Sequence, residues 1–295
     1  MTTVSAASNA KPITEDVMTV RRARQGLLIF ALFLVPLSLF GYWFNINNTD
    51  LPLNVPILPM MFAPGLASIL TRLLRREGFA DVSFRRRNMK VGNTFLFAYG
   101  FPIVVGIVAY GFAFLTGLAK FQPPSFPLAA GSPFARLVAA MALAGTLGVL
   151  LSFITSVGEE VGWRGYLLPR MIQAGIPQPI LVTSLIWGAW HLPVLFAGVY
   201  AMGPSHWLSA LCLMVTAVSI GPMLAWLRLR TESIWPCIIV HATWNGLINA
   251  GFTQAVQNQA ANMWVGESGI LVVLTIVIAV LLLKNRLKPE QPFSL

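Results

Sequence analysis

Apolar residues run along this chain in blocks long enough to cross a bilayer, which takes about 20 residues per helix. The blocks fall at about 26–44, 55–74, 92–118, 134–157, 178–199, 207–227, 234–251 and 267–283. They predict an all-α fold, a polytopic membrane helix bundle with about eight transmembrane helices. The first block follows Arg21, Arg22 and Arg24 and ends in Gly41-Tyr42-Trp43-Phe44, the kind of aromatic belt found at a membrane interface. A signal peptide would carry a shorter apolar region and a small-residue cleavage site. The block is therefore read as a retained first helix. Polar stretches such as Asn45 to Asp50 and Gln254 to Asn262 lack Lys and Arg and suit external connections. No internal repeat is visible, which argues against an inverted-repeat transporter.

The basic residues supply an independent count. With the N-terminus on the cytoplasmic side, alternate connections receive Lys11, Arg21, Arg22 and Arg24, then the cluster from Arg72 to Lys90. After these come Arg164 with Arg170, Arg228 with Arg230, and finally Lys284, Arg286 and Lys288. Of the 20 basic residues only Lys120 and Arg136 fall outside, which is the positive-inside pattern. Both termini are thus expected in the cytoplasm. The expected organisation is a disordered basic segment over 1–25, one membrane-embedded domain over 26–284 and a cytoplasmic tail over 285–295. A multi-pass protein of the bacterial plasma membrane is the expected setting.

Composition agrees. The chain is 56% hydrophobic and 10% charged, against roughly a quarter charged in a soluble domain, and its mean hydropathy is +0.72. A net charge of +10 would suit nucleic acid. The basic residues sit at the ends of apolar runs, however, so anionic lipid is the expected partner and nucleic acid is not. Cys212 and Cys237 both fall in predicted spans, offer no disulfide framework or CxxC pair, and read as packing residues.

Against this apolar background stand ten acidic residues and three histidines. Two glutamates and two histidines lie in or at the ends of predicted spans, where ionisable groups are costly and usually functional. Glu160 and Arg164 are spaced to pair on one helical face, and Glu159 points about 100° away, toward the bundle interior. A carboxylate so placed can act as a general base. His191 lies inside the fifth block, with Pro193 two residues on as a source of a bend. His241, Asn245 and Asn249 form one stripe at spacing four. Each pattern alone has a plain structural reading, as an interfacial charge cluster or as polar contacts between helices. Together, two histidines, a carboxylate and an asparagine suit two chemistries. Glu159, His191, His241 and Asn245 could hold zinc, or a metal-free glutamate–histidine pair could activate water with the second histidine and the asparagine at an oxyanion. The sequence leaves this open. His206, Glu232, Glu267, the Arg85-Arg86-Arg87 run and the nine tryptophans read as ordinary loop, interface or packing residues.

At these residues the chain resembles the CPBP family of intramembrane proteases, the CAAX protease and bacteriocin-processing (Abi) group related to CAAX prenyl endopeptidases. The family's patterns EExxxR, FxxxH and HxxxN are met in order by Glu159, Glu160 and Arg164, by His191, and by His241 and Asn245. The resemblance covers roughly residues 55–251. The aromatic of the second pattern is Trp187 in place of phenylalanine, from which altered packing and unaltered chemistry are expected. The resemblance implies that Glu159 and His191 activate water, and that His241 and Asn245 bind the oxyanion or join a metal. It also implies that Glu160 and Arg164 hold Glu159. The implied activity is hydrolysis of a membrane-anchored or amphipathic peptide, CAAX-like or leader-like, with zinc or with no cofactor. The competing expectations are a non-catalytic bacteriocin-immunity protein and, further off, a proton-coupled transporter.

Overall fold

The computed structural model describes residues 13–51, 55–85, 91–125, 131–200, 203, 205–257, 259–283 and 285. Lys11, Arg86, Arg87, Lys90, Lys284, Arg286 and Lys288 lie outside the described residues, as does nearly all of the expected 285–295 tail. The helices are α1 (Ile13–Asn47), α2 (Leu58–Arg75), α3 (Val91–Thr116), α4 (Pro133–Gln173), α5 (Pro179–Phe196), α6 (His206–Thr231), α7 (Trp235–Thr243) and α8 (Ile270–Leu283). A π turn, Trp244–Asn249, carries α7 onward. Among the described residues there is no strand, only an isolated bridge between Phe121 and Val256.

Each predicted block becomes a helix, but among the described residues six of them, α1 to α6, are long and apolar enough to cross a membrane. The 14 residues of α8 reach about 21 Å at 1.5 Å per residue, short of a hydrocarbon core of about 30 Å. The first helix also begins earlier than predicted. Residues 13–25, expected to be disordered, continue α1. They are held because Ala23 is buried, Arg24 Nε donates to the Ala174 carbonyl at 3.2 Å, and the Arg22 carbonyl accepts from Arg75 at 2.9 Å.

The larger departure is α4. The apolar run ends near residue 157, yet the helix continues to Gln173 through Glu159, Glu160, Arg164 and Arg170. Arginines that the sequence presents as topology markers make this extension stable. Arg72, 1% exposed, donates to the Gly165 carbonyl at 2.9 Å, to the Gly78 carbonyl at 2.8 Å and to Asp81. Arg170 meets Glu77 at 2.9 Å and Asp81 at 2.7 Å. Arg228 reaches from α6 to the Arg164 carbonyl at 3.1 Å and the Asp81 carbonyl at 2.7 Å. The connection after α2 is thereby pinned under α4. Burial raises the Glu77 carboxyl, but Arg75 and Arg170 outweigh it and hold the group below its ordinary 4.5. Asp81 is likewise held below 3.8 by Arg72 and Arg170 against its burial.

Two apolar clusters flank the centre. One joins Phe30, Met60, Trp163, Tyr166 and Trp190, from α1, α2, α4 and α5. The other joins Phe101, Tyr110, Met223, Val240 and Ile276, from α3, α6, α7 and α8. Near the charged residues α4 touches α2 almost backbone to backbone. A Cβ on Gly162 would lie 2.3 Å from Pro64 Cβ, and one on Gly158 would lie 2.8 Å from the Met61 carbonyl oxygen. Small residues of this kind permit close helix approach, and here they flank Glu159 and Glu160.

Gly162→Ala is therefore expected to lower the thermal midpoint in detergent by several degrees, since overpacking costs about 1–3 kcal/mol. Gly111→Ala, which meets nothing within 4 Å, is expected to leave the midpoint level or raise it. Equal midpoints for the two variants would contradict the tight α2–α4 contact. The Glu77 and Asp81 contributions to stability are present above the ordinary carboxyl values and lost as pH falls through the lowered folded ones. Melting scans between pH 7 and 3 should show a drop beginning below about pH 4.5, flattened in Glu77→Gln. A drop of equal size in the variant would contradict this.

Candidate active site

The EExxxR residues lie side by side in α4 and face two ways. Glu160 accepts from Arg164 Nη1 at 2.8 Å, the i, i+4 pairing that their spacing predicts. The same Glu160 oxygen is 2.8 Å from His241 Nδ1. A carboxylate oxygen accepts, so His241 donates through Nδ1 and turns Nε2 away from Glu160. Nε2 then lies 3.6 Å from Glu159 Oε1. Both glutamates are completely buried, and Arg164 is 2% exposed.

Glu159 is held from its other oxygen. Oε2 accepts from the indole N–H of Trp163 at 3.1 Å and from that of Trp187 at 2.8 Å. Oε1 is buried with no hydrogen-bond partner among the described residues. The resemblance implies that Glu160 and Arg164 steady Glu159, but their described contacts run to His241, and two indoles fix Glu159. Trp187 thus does what phenylalanine cannot, for it donates a hydrogen bond, and it also lies under Arg164, 4.5 Å from guanidinium carbon to ring centroid.

His191 is oriented by its own helix. Its Nδ1 lies 2.8 Å from the Trp187 carbonyl, so Nδ1 carries the proton and a neutral ring offers Nε2 as a lone pair. The ring stacks on Tyr200 at 5.3 Å and meets Trp190 edge-on at 4.9 Å. Asn245 sits in the π turn that prolongs α7 and accepts a long 3.5 Å contact from Asn249, leaving its own amide N–H groups for other partners. Glu159, Trp187, His191, His241 and Asn245 all line one cavity of about 1270 Å³. Glu160 and Arg164 stand behind it. A further π turn, Trp163–Leu167, follows the glutamates in α4; such turns often mark functional positions.

The same cavity reaches Glu267, which the sequence presents as an ordinary boundary residue. Its oxygens accept from Trp244 Nε1 at 3.2 Å, Tyr200 at 2.5 Å and Asn249 at 3.0 Å. The only sequence signal was the Asn249 step of the polar stripe.

Whether a metal fits is decided by the donors. Glu159 Oε2 is taken by two N–H groups and Nδ1 of each histidine is committed. Among the described residues no group of three or more His, Cys, Asp or Glu side chains is placed to hold an ion. The arrangement brings Glu159 and His241 together and, among the described residues, does not supply a third such donor, so these residues do not fit a metal site. With His241 neutral, the arrangement can position a proton-bearing group between two buried acceptors, Glu159 Oε1 and His241 Nε2, with the Asn245 amide and the His191 imidazole lining the same cavity.

Fold and site together define a helical integral membrane protein with a buried carboxylate–imidazole centre opening on a cavity. Residues 140–247 match the family model described as type II CAAX prenyl endopeptidase Rce1-like, which supports a place for the chain in the CPBP/CAAX protease family and, at family level, a CAAX-type intramembrane protease. No curated protein matches the chain. The matched stretch is narrower than the 55–251 of the motif resemblance but holds all of Glu159, Glu160, Arg164, His191, His241 and Asn245.

Trp187→Phe keeps the ring beneath Arg164 and deletes one donor to Glu159. Losing a hydrogen bond to a charged group costs about 1.5–3 kcal/mol, so kcat for peptide cleavage is expected to fall about tenfold or more, with the melting midpoint little changed. An unchanged kcat would show that Trp163 alone suffices to orient the carboxylate.

Proposed function

We propose that this protein is an intramembrane endopeptidase that hydrolyses a peptide bond of a membrane-associated substrate, CAAX-like or leader-like, with water activated by Glu159 and His241. The observation that carries the reading is the 3.6 Å approach of Glu159 Oε1 to His241 Nε2, both facing the cavity. Two acceptors so close repel one another unless a donor lies between them, and a water molecule supplies two O–H bonds. Glu159 takes one proton as the water oxygen attacks the scissile carbonyl carbon. The Asn245 amide donates to the oxygen that gains the negative charge. Collapse of the tetrahedral species breaks the C–N bond, and the proton held by Glu159 passes to the leaving amine. His191 presents Nε2 to the same cavity as a second proton acceptor, a role different from the water-activating one that the resemblance assigns it. Glu160 and Arg164 act through His241 and touch no reacting atom.

The test uses the purified protein in detergent with a fluorogenic farnesylated CAAX peptide and a broad pool of membrane peptides. Glu159→Gln and His241→Ala should each lower kcat by about 10²–10⁴, the usual worth of a general base, in protein that melts like wild type. Chelator is expected to leave the wild-type rate unchanged; abolition by chelator with rescue by zinc would move the chemistry to a metal. Cleavage that survives in folded Glu159→Gln would overturn the proposal.

A further inference from the structure

The carboxylates at the charged end of the bundle have guanidinium partners: Glu160 meets Arg164, Glu77 meets Arg75 and Arg170, and Asp81 meets Arg72 and Arg170. Glu267 differs. It is held by three neutral donors, Tyr200, Trp244 and Asn249, and no cation pairs with it among the described residues. The donors fix its position and leave its charge uncompensated. It also lines the cavity that contains Glu159 and His241. A carboxylate kept in a membrane bundle without a counter-charge marks a place where a cation or strong donor arrives.

A second observation points to a ligand in the same cavity. Thr216 and Ser268, 4% and 6% exposed, line this cavity and have hydroxyls with no hydrogen-bond partner among the described residues. Buried polar groups are normally satisfied. Two unsatisfied hydroxyls, one of them on Ser268 next in sequence to Glu267, in the cavity that holds this carboxylate form a polar lining for a charged donor and its peptide backbone. No group of three or more metal-binding side chains occurs among the described residues, so an organic cation suits the site better than a metal ion.

We infer that this end of the cavity is a specificity subsite in which Glu267 binds a lysine or arginine side chain of the substrate peptide. The register follows from α7. Asn249, which donates to Glu267, lies eight residues beyond His241 along the helix and its π turn, or about 12 Å at 1.5 Å per residue. An extended peptide covers that distance in about three or four residues. The cation therefore lies about that far from the scissile bond. The inference rests on the endopeptidase reading.

The experiment measures kcat/KM of the purified full-length protein for fluorogenic peptides carrying one lysine, walked along both sides of the cleaved bond. Norleucine at the same positions is the neutral control. Wild type should prefer lysine by about tenfold at one position three or four residues from the cut, the scale of one hydrogen bond to a charged group. The lysine/norleucine ratio should fall to near one in Glu267→Gln and return in Glu267→Asp. A purely structural Glu267 would change both peptides together and leave the ratio unchanged, which overturns the inference, as does a wild type with no such position. Should wild type cleave no peptide, the endopeptidase reading fails separately. Tryptophan quenching of Glu159→Gln protein by the two peptides then decides: tighter lysine binding that needs Glu267 sustains the subsite, and equal binding overturns it.

Discussion

A buried ion pair sets the direction of everything else in the centre of this protein. Glu160 and Arg164, almost without exposure and 2.8 Å apart, contribute little net stability while intact, because desolvation offsets most of their attraction. Losing one partner costs about 3–5 kcal/mol. What the pair supplies is orientation. The Glu160 oxygen that meets Arg164 also takes the Nδ1 proton of His241, so the imidazole has one way to face. Its Nε2 is turned toward Glu159 and the cavity.

That arrangement exists only because α4 keeps its helix beyond the apolar run. The helix carries charged residues into the protein, and the arginines of α2, α4 and α6 receive its carbonyls and the acidic connection after α2. Glycines let α2 and α4 close on one another at the same level. Helix-ending positive charge, ordinarily a marker of membrane sidedness, here serves as a scaffold. The two apolar clusters hold the remaining site helices, and both border the cavity, one through Ile220 and Val240 and the other through Val199 and Tyr200.

Much of this was legible in the residues and some was not. Each apolar block becomes a helix among the described residues, and the i, i+4 spacing of Glu160 and Arg164 gave their pairing because that geometry is local. The end of α4 was not legible. Hydropathy falls at Glu159 whether the charges are solvated or paired, and the partners of Arg72, Arg170 and Arg228 are distant in sequence. The same limit explains Trp187. Its aromatic ring was visible in the pattern, but the N–H bond to Glu159 crosses from α5 to α4. Glu267 was missed because a carboxylate at a span boundary is usually solvated, and only the fold shows it inside the cavity. The shorter lengths of α7 and α8 also depend on packing, since apolar loop residues extend their blocks in the sequence.

Only three histidines occur in the chain, so the orientation of His241 by Glu160 can be read directly by spectroscopy. Nitrogen-15 NMR of histidine-labelled protein in detergent resolves the ring nitrogens of His191, His206 and His241, assigned by single substitutions. His241 should carry a strongly hydrogen-bonded Nδ1 proton, and Glu160→Gln should shift this signal while His206 stays in place. A His241 ring indifferent to the loss of the Glu160 charge would contradict that orientation.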